Sequence, residues 1–390
     1  MIRTSDLGYD AVAQKAKFFL ETRRSSFSTG IDPPGKLSYP LDYGHTSQAS
    51  GDDSRMIDLI KTGLTLYFIL PLIGIFGLYL SFRLRFIQIL KLKTSFQLVQ
   101  TQKQKGGIST FNALAAILGG NLGTGNISGI GVALAAGGPG ALFWMWVMAL
   151  LASLVKYVGC YLGVHYRQKD SAGEYVGGPM YYLEKGLKAP SLAKLFCVLT
   201  VTSALTVGNL VQVHSLSLPI KELSIAPWVF GVGLAALVGG VIWGGLQRFA
   251  HVVSALVPLM ALIYVSTCVV ILVFFYDQIV PALALIVSSA FSSSSVTGGM
   301  LGYTLFEAIR SGFDRGLFAT DSGLGLAPII HAAVTDTHES LDNRVVQGLV
   351  SILSPIIVMV VCTMTGTVLL VTGAWQDHCL QSTRTCIEAF

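Results

Sequence analysis

The sequence predicts an all-α membrane protein, a polytopic helical bundle that contains two discontinuous helices. Hydrophobic residues make up 52% of the 390-residue chain and charged residues only 12%, and the mean hydropathy is +0.64. An average soluble domain has about 25% charged residues. Lys156 is the only Asp, Glu, Lys or Arg between Gly106 and Tyr166, and none lies between Phe249 and Tyr276. Both stretches have room for membrane-spanning helices of about 20 residues.

The first predicted span runs from Lys61 to Phe82 and ends in a basic stretch. Arg83 to Lys105 contains six Lys and Arg residues and no acidic residue. The positive-inside rule therefore places this loop on the cytoplasmic side, and residues 1–55, which we expect to form a poorly ordered polar tail, on the other side. Phe86 to Gln104 alternates apolar and basic residues, as an interfacial amphipathic helix does.

The next predicted span, about Ser109 to Ala136, contains a glycine-rich interruption. Nine of the 22 residues from Gly119 to Gly140 are glycine within an otherwise apolar stretch. Glycine tolerates unwound backbone, and irregular backbone at bilayer depth occurs only where protein or a watery cavity surrounds it. The stretch is therefore either a broken helix with a ligand site or a tightly packed helix whose glycines admit a neighbour.

Further spans follow in the order that the apolar stretches predict. Pro179 to Gly186 resembles a short interfacial helix. Three polar residues, Asn209, Gln212 and His214, lie in the outer half of one crossing and need partners there. The crossings between the two interruptions are Ala141 to Tyr166, Leu192 to Ser217, Trp228 to Trp243 and Val252 to Phe275.

A second interruption is predicted from Gly312 to Gly325, after a weakly apolar hairpin from Pro281 to Arg310. An inner loop with Asp336 and Arg344 and a last span from Val345 to Thr372 complete a transmembrane domain of residues 56–375, and a polar tail, 376–390, follows. Two interrupted helices are typical of secondary transporters built from inverted repeats, with the binding site between the breaks. Five crossings, counted from the first broken helix to Phe275, precede the second break. An inverted repeat requires five more, and only two are present, so we expect the second half to be incomplete.

Several motifs, in order, resemble the alanine/glycine:cation symporter family between Leu59 and Phe390. The matching segments are GTGN, GGPGALFWMWVMAL, GGPMYYLEKGL, GNLVQ, VPLMALIY, GFDRGLF and VVQGLV. The resemblance implies a leucine-transporter-like fold and import of a small neutral amino acid, alanine or glycine, by symport with sodium or protons across the plasma (inner) membrane. The family continues for about three more helices, so we expect this chain to be C-terminally short.

The resemblance also implies site residues. The family's first break and polar cluster fall on Gly123, Thr124, Gly125, Asn126, Gly208, Asn209 and Gln212. Its second break usually reads GLFSNEAGxGSAP, whereas this chain has GLFATDSGLGLAP, which keeps Phe318 as a substrate-binding candidate and a shorter carboxylate at Asp321. The family's Asp-Thr pair in the last span is replaced by Ser354-Pro355.

An amino acid presents a carboxylate and an ammonium group, and the first break offers partners for both. The free N–H groups of Thr124 to Ile127 and the positive end of the helix dipole suit the carboxylate. Oxygen atoms of Leu122, Thr124 and Asn126 suit sodium, which prefers several oxygen ligands. Asn126 is otherwise a helix cap, and Gln212 either binds substrate or makes an interhelical hydrogen bond.

The charged and titratable residues near the breaks each have two interpretations. Asp321 is a gating or coupling residue, since an intramembrane carboxylate is a functional hypothesis by default, or it pairs with Arg315. We expect Lys156 to extend its ammonium group to the inner interface and His214 to be packed or interfacial.

The leading function is a sodium symporter for a small neutral amino acid, with no cofactor besides the coupling ion. The alternative is a truncated, non-transporting member of the same family. An enzyme is not indicated, since the chain has no HExxH or GxSxG pattern. Membrane lipid, the amino acid and sodium or a proton are the expected partners, with no nucleic acid.

Overall fold

The computed structural model is almost entirely α-helical. It describes residues 60, 63–100, 108–171, 173–222, 226–291, 305–335, 341–376, 386 and 389–390. The predicted N-terminal tail (residues 1–55), the serines 292–295 of the predicted hairpin, residues 336–340 of the predicted inner loop and most of the predicted C-terminal tail lie outside these ranges. Within them, three helices are long and apolar enough to cross a membrane: Gly140–His165, Gly245–Phe274 and Asn343–Thr372.

The first half of the chain forms nine helices and one small hairpin in the described residues. A π-helical turn, Thr65–Ile69, precedes the first helix. The helices are α1 (Leu70–Arg83), α2 (Ile87–Leu90), α3 (Leu92–Gln100), α4 (Thr110–Asn121), α5 (Thr124–Gly137), α6 (Gly140–His165), α7 (Pro179–Tyr181), α8 (Pro190–Ser203) and α9 (Asn209–Glu222). Strands β1 (Gln168–Lys169) and β2 (Tyr175–Val176) pair antiparallel between α6 and α7.

The second half contributes seven helices. They are α10 (Pro227–Ile242), α11 (Gly245–Phe274), α12 (Tyr276–Ser289), α13 (Leu305–Thr320), α14 (Leu326–Ala332), α15 (Asn343–Ser351) and α16 (Leu353–Thr372). A π-helical turn, Ala204–Gly208, joins α8 to α9, so the predicted crossing from Leu192 to Ser217 is longer than expected. Helix α11 likewise begins earlier than the predicted Val252, because the chain turns at Gly244 and becomes helical at once.

Helix α6 is the centre of the bundle. Helices α1, α12, α13, α14, α15 and α16 all pack against it. The main core contains fully buried side chains of α5, α6 and α16, among them Leu134, Leu142, Met145 and Leu369. Near the end of the chain, Cys386 and Ala389 are buried in the same core, and the ring of Phe390 stacks on Tyr264 at 5.4 Å.

The first predicted break is present, but the second is much shorter than the sequence suggested. Helix α13 runs without interruption through Gly312 and Gly316 to Thr320, so only Asp321 to Gly325 separates it from α14. A Cβ atom on Gly312 would meet the backbone of Ala141 in α6, and one on Gly316 would lie 2.9 Å from the Cβ atom of Met148. These two glycines permit close helix packing and do not break the helix.

Candidate functional site

The first break separates two half-helices that meet end to end. Helix α4 ends at Asn121, Leu122 leaves the helical conformation, and Gly123 is extended (φ −73°, ψ 167°) before α5 begins at Thr124. The Gly123 carbonyl accepts the first helical hydrogen bond from Ile127 at 3.4 Å, and no side chain caps this end. The N–H groups of the first turn of α5 therefore lack intrahelical partners and point into the break.

Gln212 of α9 lies directly against this break. Its Nε2 donates to the carbonyl of Gly120 at 3.2 Å, and Thr124 Oγ1 donates to the Gln212 carbonyl at 3.4 Å. A Cβ atom at Gly123 would collide with the Gln212 amide group, so only glycine permits this approach. Ser128 and Ser215 add a further contact between α5 and α9, with their hydroxyl oxygens 3.3 Å apart.

The second break begins with a residue in an unusual conformation. Asp321 has a φ of +52°, which is uncommon outside glycine, and Gly325 has a φ of +72° at the start of α14. Thr320, the last residue of α13, is fully buried, and its hydroxyl donates to the Gly316 carbonyl at 2.8 Å. Ser322 Oγ donates in turn to Thr320 Oγ1 at 3.0 Å.

The two breaks touch each other. The Nδ2 group of Asn121, at the end of α4, donates to the carbonyl of Thr320, at the end of α13, at 3.3 Å. Both residues are buried, with Asn121 2% exposed and Thr320 not exposed at all. The sequence motif contained Asn121 without marking it as special, because its partner is 199 residues away.

Phe318 lines a narrow crevice between α5, α6 and α13. The other lining residues are Gly129, Ile130, Met145, Arg315 and Ala319. The lining side chains close this crevice so far that no space for a water molecule remains in it.

The expectation that Lys156 extends to the interface is wrong. Its side chain is 3% exposed, and its ammonium group donates to Ser354 Oγ of α16 at 3.0 Å. The Lys156 ammonium also interacts favourably with the Asp321 carboxylate across the second break. Among the described residues Asp321 forms no ion pair with either Arg315 or Lys156, and its longer-range charge interaction is with Lys156.

A second buried polar network, which the sequence did not indicate, lies beside Lys156. His331 Nδ1 and Gln347 Oε1 are 2.8 Å apart, so the ring nitrogen donates to the amide oxygen. Gln347 Nε2 donates to Thr110 Oγ1 at 2.7 Å and to Asn343 Oδ1 at 3.1 Å. His331 and Gln347 are fully buried, and together they join α4, α14 and α15 near the breaks.

The remaining predicted residues lie further from the contact between the breaks. Asn209 is exposed, and its Nδ2 donates to the Ala204 carbonyl of the preceding π-helical turn at 3.1 Å. His214 is also exposed. For Gly125, Asn126 and Gly208 the structure describes only the backbone. The proposed role of the Asn126 side chain therefore stays a prediction.

Within the described residues, no group of three or more His, Cys, Asp or Glu side chains could hold a metal ion. At the first break the available ligands are neutral backbone and side-chain oxygen atoms, which suit a hard cation better than a transition metal.

Comparisons with known proteins agree with the resemblance of the motifs. A family model described as the sodium:alanine symporter family matches residues 52–390. An uncharacterised transporter of Haemophilus influenzae is 43% identical over 307 residues, which are 77% of this chain and 66% of that protein. The sodium/alanine symporter AgcS of Methanococcus maripaludis is 38% identical over 317 residues, 79% of this chain and 68% of AgcS.

The named substrates of the relatives differ. The probable sodium/glutamine symporter GlnT of Bacillus subtilis is 35% identical over 306 residues, 77% of this chain and 62% of GlnT. The chain spans about two thirds of the length of the curated relatives it matches. Its long apolar helices and these matches together mark it as a multi-pass membrane protein. The chain belongs to the sodium:alanine symporter family, which is a family of transporters and not of enzymes.

Proposed function

We propose that this protein imports a small neutral amino acid, alanine or glycine, by symport with sodium, in the plasma (inner) membrane of its cell. The observation that carries the proposal is the direct contact between the two breaks, through Asn121 Nδ2 and the Thr320 carbonyl. Both half-helix pairs thereby direct unpaired backbone groups to one place, as discontinuous helices do around the sites of secondary transporters.

The substrate site in this proposal lies at the first break. The free N–H groups of Thr124 to Asn126 bind the carboxylate, with the positive end of the α5 dipole behind them. Gln212 lies beside them, and the carbonyl groups that end α4 form the negative side for the ammonium group. Phe318 closes the site from α13. Gly123 and Gly125 keep the backbone accessible.

Sodium binds, in this proposal, to the Leu122 carbonyl and to oxygen atoms of Thr124 and Asn126. Thr124 Oγ1 donates a hydrogen bond to the Gln212 backbone carbonyl, so its lone pairs remain available to a cation. Asp321 couples ion and substrate movement, because its charge interaction with Lys156 connects the second break to α6. Alternating access requires the break segments to move relative to the bundle, and residues 56–375 form the transport domain.

The fold that best accommodates this site is leucine-transporter-like, with α4 and α5 as the first broken helix and α13 and α14 as its counterpart in an inverted repeat. Two broken helices in corresponding positions support this assignment. The described helices after α14 supply only part of the second repeat.

Ligand binding tests the site directly. We expect alanine with sodium to raise the unfolding temperature of the purified chain, and Gln212→Ala to weaken the apparent affinity for alanine about 10-fold, the size of one lost hydrogen bond to a charged group. Gln247→Ala is the matched control, since Gln247 is exposed and contacts Glu174 away from the breaks. Equal affinities for the two variants would contradict the assignment of Gln212.

A second candidate is a non-transporting member of the family that binds the amino acid without completing the cycle. The observation in its favour is the exposure of polar side chains such as Asn209 and His214 on α9, which lack the cover that a closed transport site needs. Uptake of labelled alanine into proteoliposomes under a sodium gradient separates the candidates. Sodium-driven accumulation supports the symporter, and binding without accumulation supports the second candidate.

A further inference from the structure

The chain turns sharply where α1 ends, and hydrogen bonds hold this turn in place. Arg85 and Phe86 have φ values of +52° and +54°, which residues other than glycine rarely adopt. The Phe86 backbone N–H donates to the Ser81 carbonyl at 2.8 Å. The buried Gln88 adds a hydrogen bond from its Nε2 to Ser81 Oγ at 3.3 Å. The start of α2 is therefore fixed relative to the end of α1.

One face of α3 packs on the helical bundle. Leu98 is 6% exposed and shares a core with Val346 of α15 and Leu353 of α16. Ser95 is fully buried, and its hydroxyl donates to the Lys91 carbonyl at 3.0 Å. These contacts hold α3 against the bundle, so its other face is directed away from the core.

The exposed side of this segment, from the end of α1 through α3, combines basic and large apolar side chains. Its exposed basic residues are Arg83, Arg85, Lys91 and Lys93. Its exposed large apolar residues are Phe82, Phe86, Ile89, Leu90 and Phe96. The rings of Phe82 and Phe86 pack edge to face, with their centroids 5.4 Å apart. We call these residues together the basic surface.

The charges of the basic surface are not neutralised by the described part of the protein. Within that part, none of its four basic residues forms an ion pair. The sequence itself has no Asp or Glu between Arg83 and Lys105. A soluble anion could neutralise these charges but would leave the neighbouring apolar side chains in water. An anionic lipid satisfies both, because its head group is negative and its acyl chains accept apolar side chains.

We propose that the basic surface binds the head groups of anionic phospholipids in the adjacent membrane leaflet. The lipid phosphates contact the four basic residues, and the exposed aromatic and aliphatic side chains enter the boundary between head groups and acyl chains. Because α3 also packs on α15 and α16, the bound lipid stabilises this part of the bundle by mass action. This inference requires only that the chain lies in a membrane, and it does not depend on the proposed transport activity.

The test uses Phe96→Trp as a fluorescent reporter on the basic surface. The purified full chain with this change is reconstituted into phosphatidylcholine vesicles that contain the same fraction of either brominated phosphatidylglycerol or brominated phosphatidylcholine. The chain without the reporter is measured in parallel to subtract the signal of its own tryptophans. We expect the anionic brominated lipid to quench the reporter more strongly, and this preference to disappear at about 0.5 M salt, where exposed charges are screened.

Neutralising substitutions then identify the residues responsible. Lys91→Gln with Lys93→Gln should lower the apparent preference for phosphatidylglycerol about fivefold for each charge removed. Lys185→Gln with Lys194→Gln is the matched control, because both of these lysines are exposed outside the basic surface, and it should keep the preference of the reporter chain.

Three results would overturn the inference. The first is equal quenching by the two brominated lipids in the reporter chain. The second is a preference for phosphatidylglycerol that survives the change of Lys91 and Lys93 or the high salt. The third is loss of the preference on adding inorganic phosphate but not chloride at the same ionic strength, which would make this surface a site for soluble phosphate.

Discussion

The most demanding single residue of this protein is Lys156. Lys156 is 3% exposed, so its ammonium group has lost almost all of its hydration, which costs several kcal/mol for an isolated ion. Two partners offset this cost: Ser354 Oγ accepts one hydrogen bond, and Asp321 supplies an opposite charge. Lys156 therefore connects the central helix α6 to α16 and to the second break. Without these two partners, a buried lysine at this position would destabilise the protein.

The first prediction concerns the charge interaction between the buried Lys156 and the half-buried Asp321. We expect Lys156→Met to destabilise the protein by about 3 kcal/mol, because it leaves the Asp321 carboxylate partly buried without its counter-charge. The double variant Lys156→Met with Asp321→Asn should regain most of this loss, since it removes both charges. Unfolding of the purified variants in detergent measures the effect, with the exposed Lys185→Met as the control. A double variant no more stable than the single one would show that the two charges are not coupled.

Residue roles could be predicted from the sequence only where they depend on local pattern. The glycines and Thr124 located the first break to within a residue or two, and Gln212 came from the family motif and does lie against that break. Lys156 was placed wrongly because its partner Ser354 is 198 residues away and no local pattern indicates it. The His331 and Gln347 network was missed for the same reason, since each residue alone resembles an isolated polar position in an apolar segment.

At the scale of elements, close approach between α13 and α6 holds the second broken segment against the bundle. Gly312 faces the backbone of Ala141 and the Cβ atom of Trp144, and Gly316 faces Met148. Without a hydrophobic driving force between helices in lipid, such small residues permit the van der Waals contact that associates them. The sequence could not separate this role from helix breaking, because glycine serves both and only the neighbouring helix decides between them.

The second prediction follows from this packing and compares two glycines. Gly312→Ala should destabilise the protein by about 1–3 kcal/mol through overpacking against α6, although alanine is the better helix former. Gly231→Ala in α10 should be neutral or stabilising, because nothing lies within 4 Å of the added methyl group. The unfolding midpoints of both variants measure the difference. The same sign for both changes would refute the packing role of Gly312.

The third prediction concerns the start of α15, outside the membrane-spanning part. Asp342 caps this helix by accepting a hydrogen bond from the Arg344 backbone N–H at 2.9 Å, and the Arg344 guanidinium binds the same carboxylate. These hydrogen bonds lower the pKa of Asp342 below its ordinary value. The stabilisation is therefore complete above the pKa of the unfolded carboxyl, about 3.9, and is lost as the pH falls through the lower folded pKa.

Asp342→Asn tests this dependence because asparagine can still cap the helix but carries no charge. We expect the wild type to unfold at a higher temperature than the variant at pH 7, and the two curves to converge as the pH approaches about 3. A difference in unfolding temperature that does not depend on pH would assign the effect to the cap alone.

At the scale of the whole molecule, the orientation in the membrane rests on the basic stretch that follows α1. Lys91 lies at the junction of the short helices α2 and α3, and Lys93 lies in α3. Both lysines are exposed. Residues 101–107, with the other two lysines, lie outside the described ranges. The positive-inside rule predicts that the stretch lies in the cytoplasm, and the predicted orientation of every later crossing follows from that prediction.

The fourth prediction tests the orientation by cysteine labelling. Lys93→Cys, in a background without Cys197 and Cys379, should react with a membrane-impermeant thiol reagent only after the cells are opened. The exposure of Lys93 makes the position accessible to reagent from its own side. A second cysteine at Trp375, near the other end of α16, should label in intact cells. Strong labelling at position 93 in intact cells would reverse the whole topology.

The short length of helix α10 affects the thickness of the lipid bilayer next to it. It spans 16 residues, about 24 Å at 1.5 Å per residue, and none of its described side chains is buried. Trp228 is 73% exposed and Trp243, immediately after the helix, is 93% exposed, as is typical of tryptophans that anchor the ends of a helix at the membrane interfaces. The hydrocarbon core of a typical bilayer is about 30 Å thick. A short helix with fixed anchors creates a hydrophobic mismatch, which thins the adjacent bilayer or recruits lipids with shorter chains. We therefore expect quenching of tryptophan fluorescence by brominated lipids to report a thin annulus at this face, and stability to be higher in short-chain than in long-chain lipids.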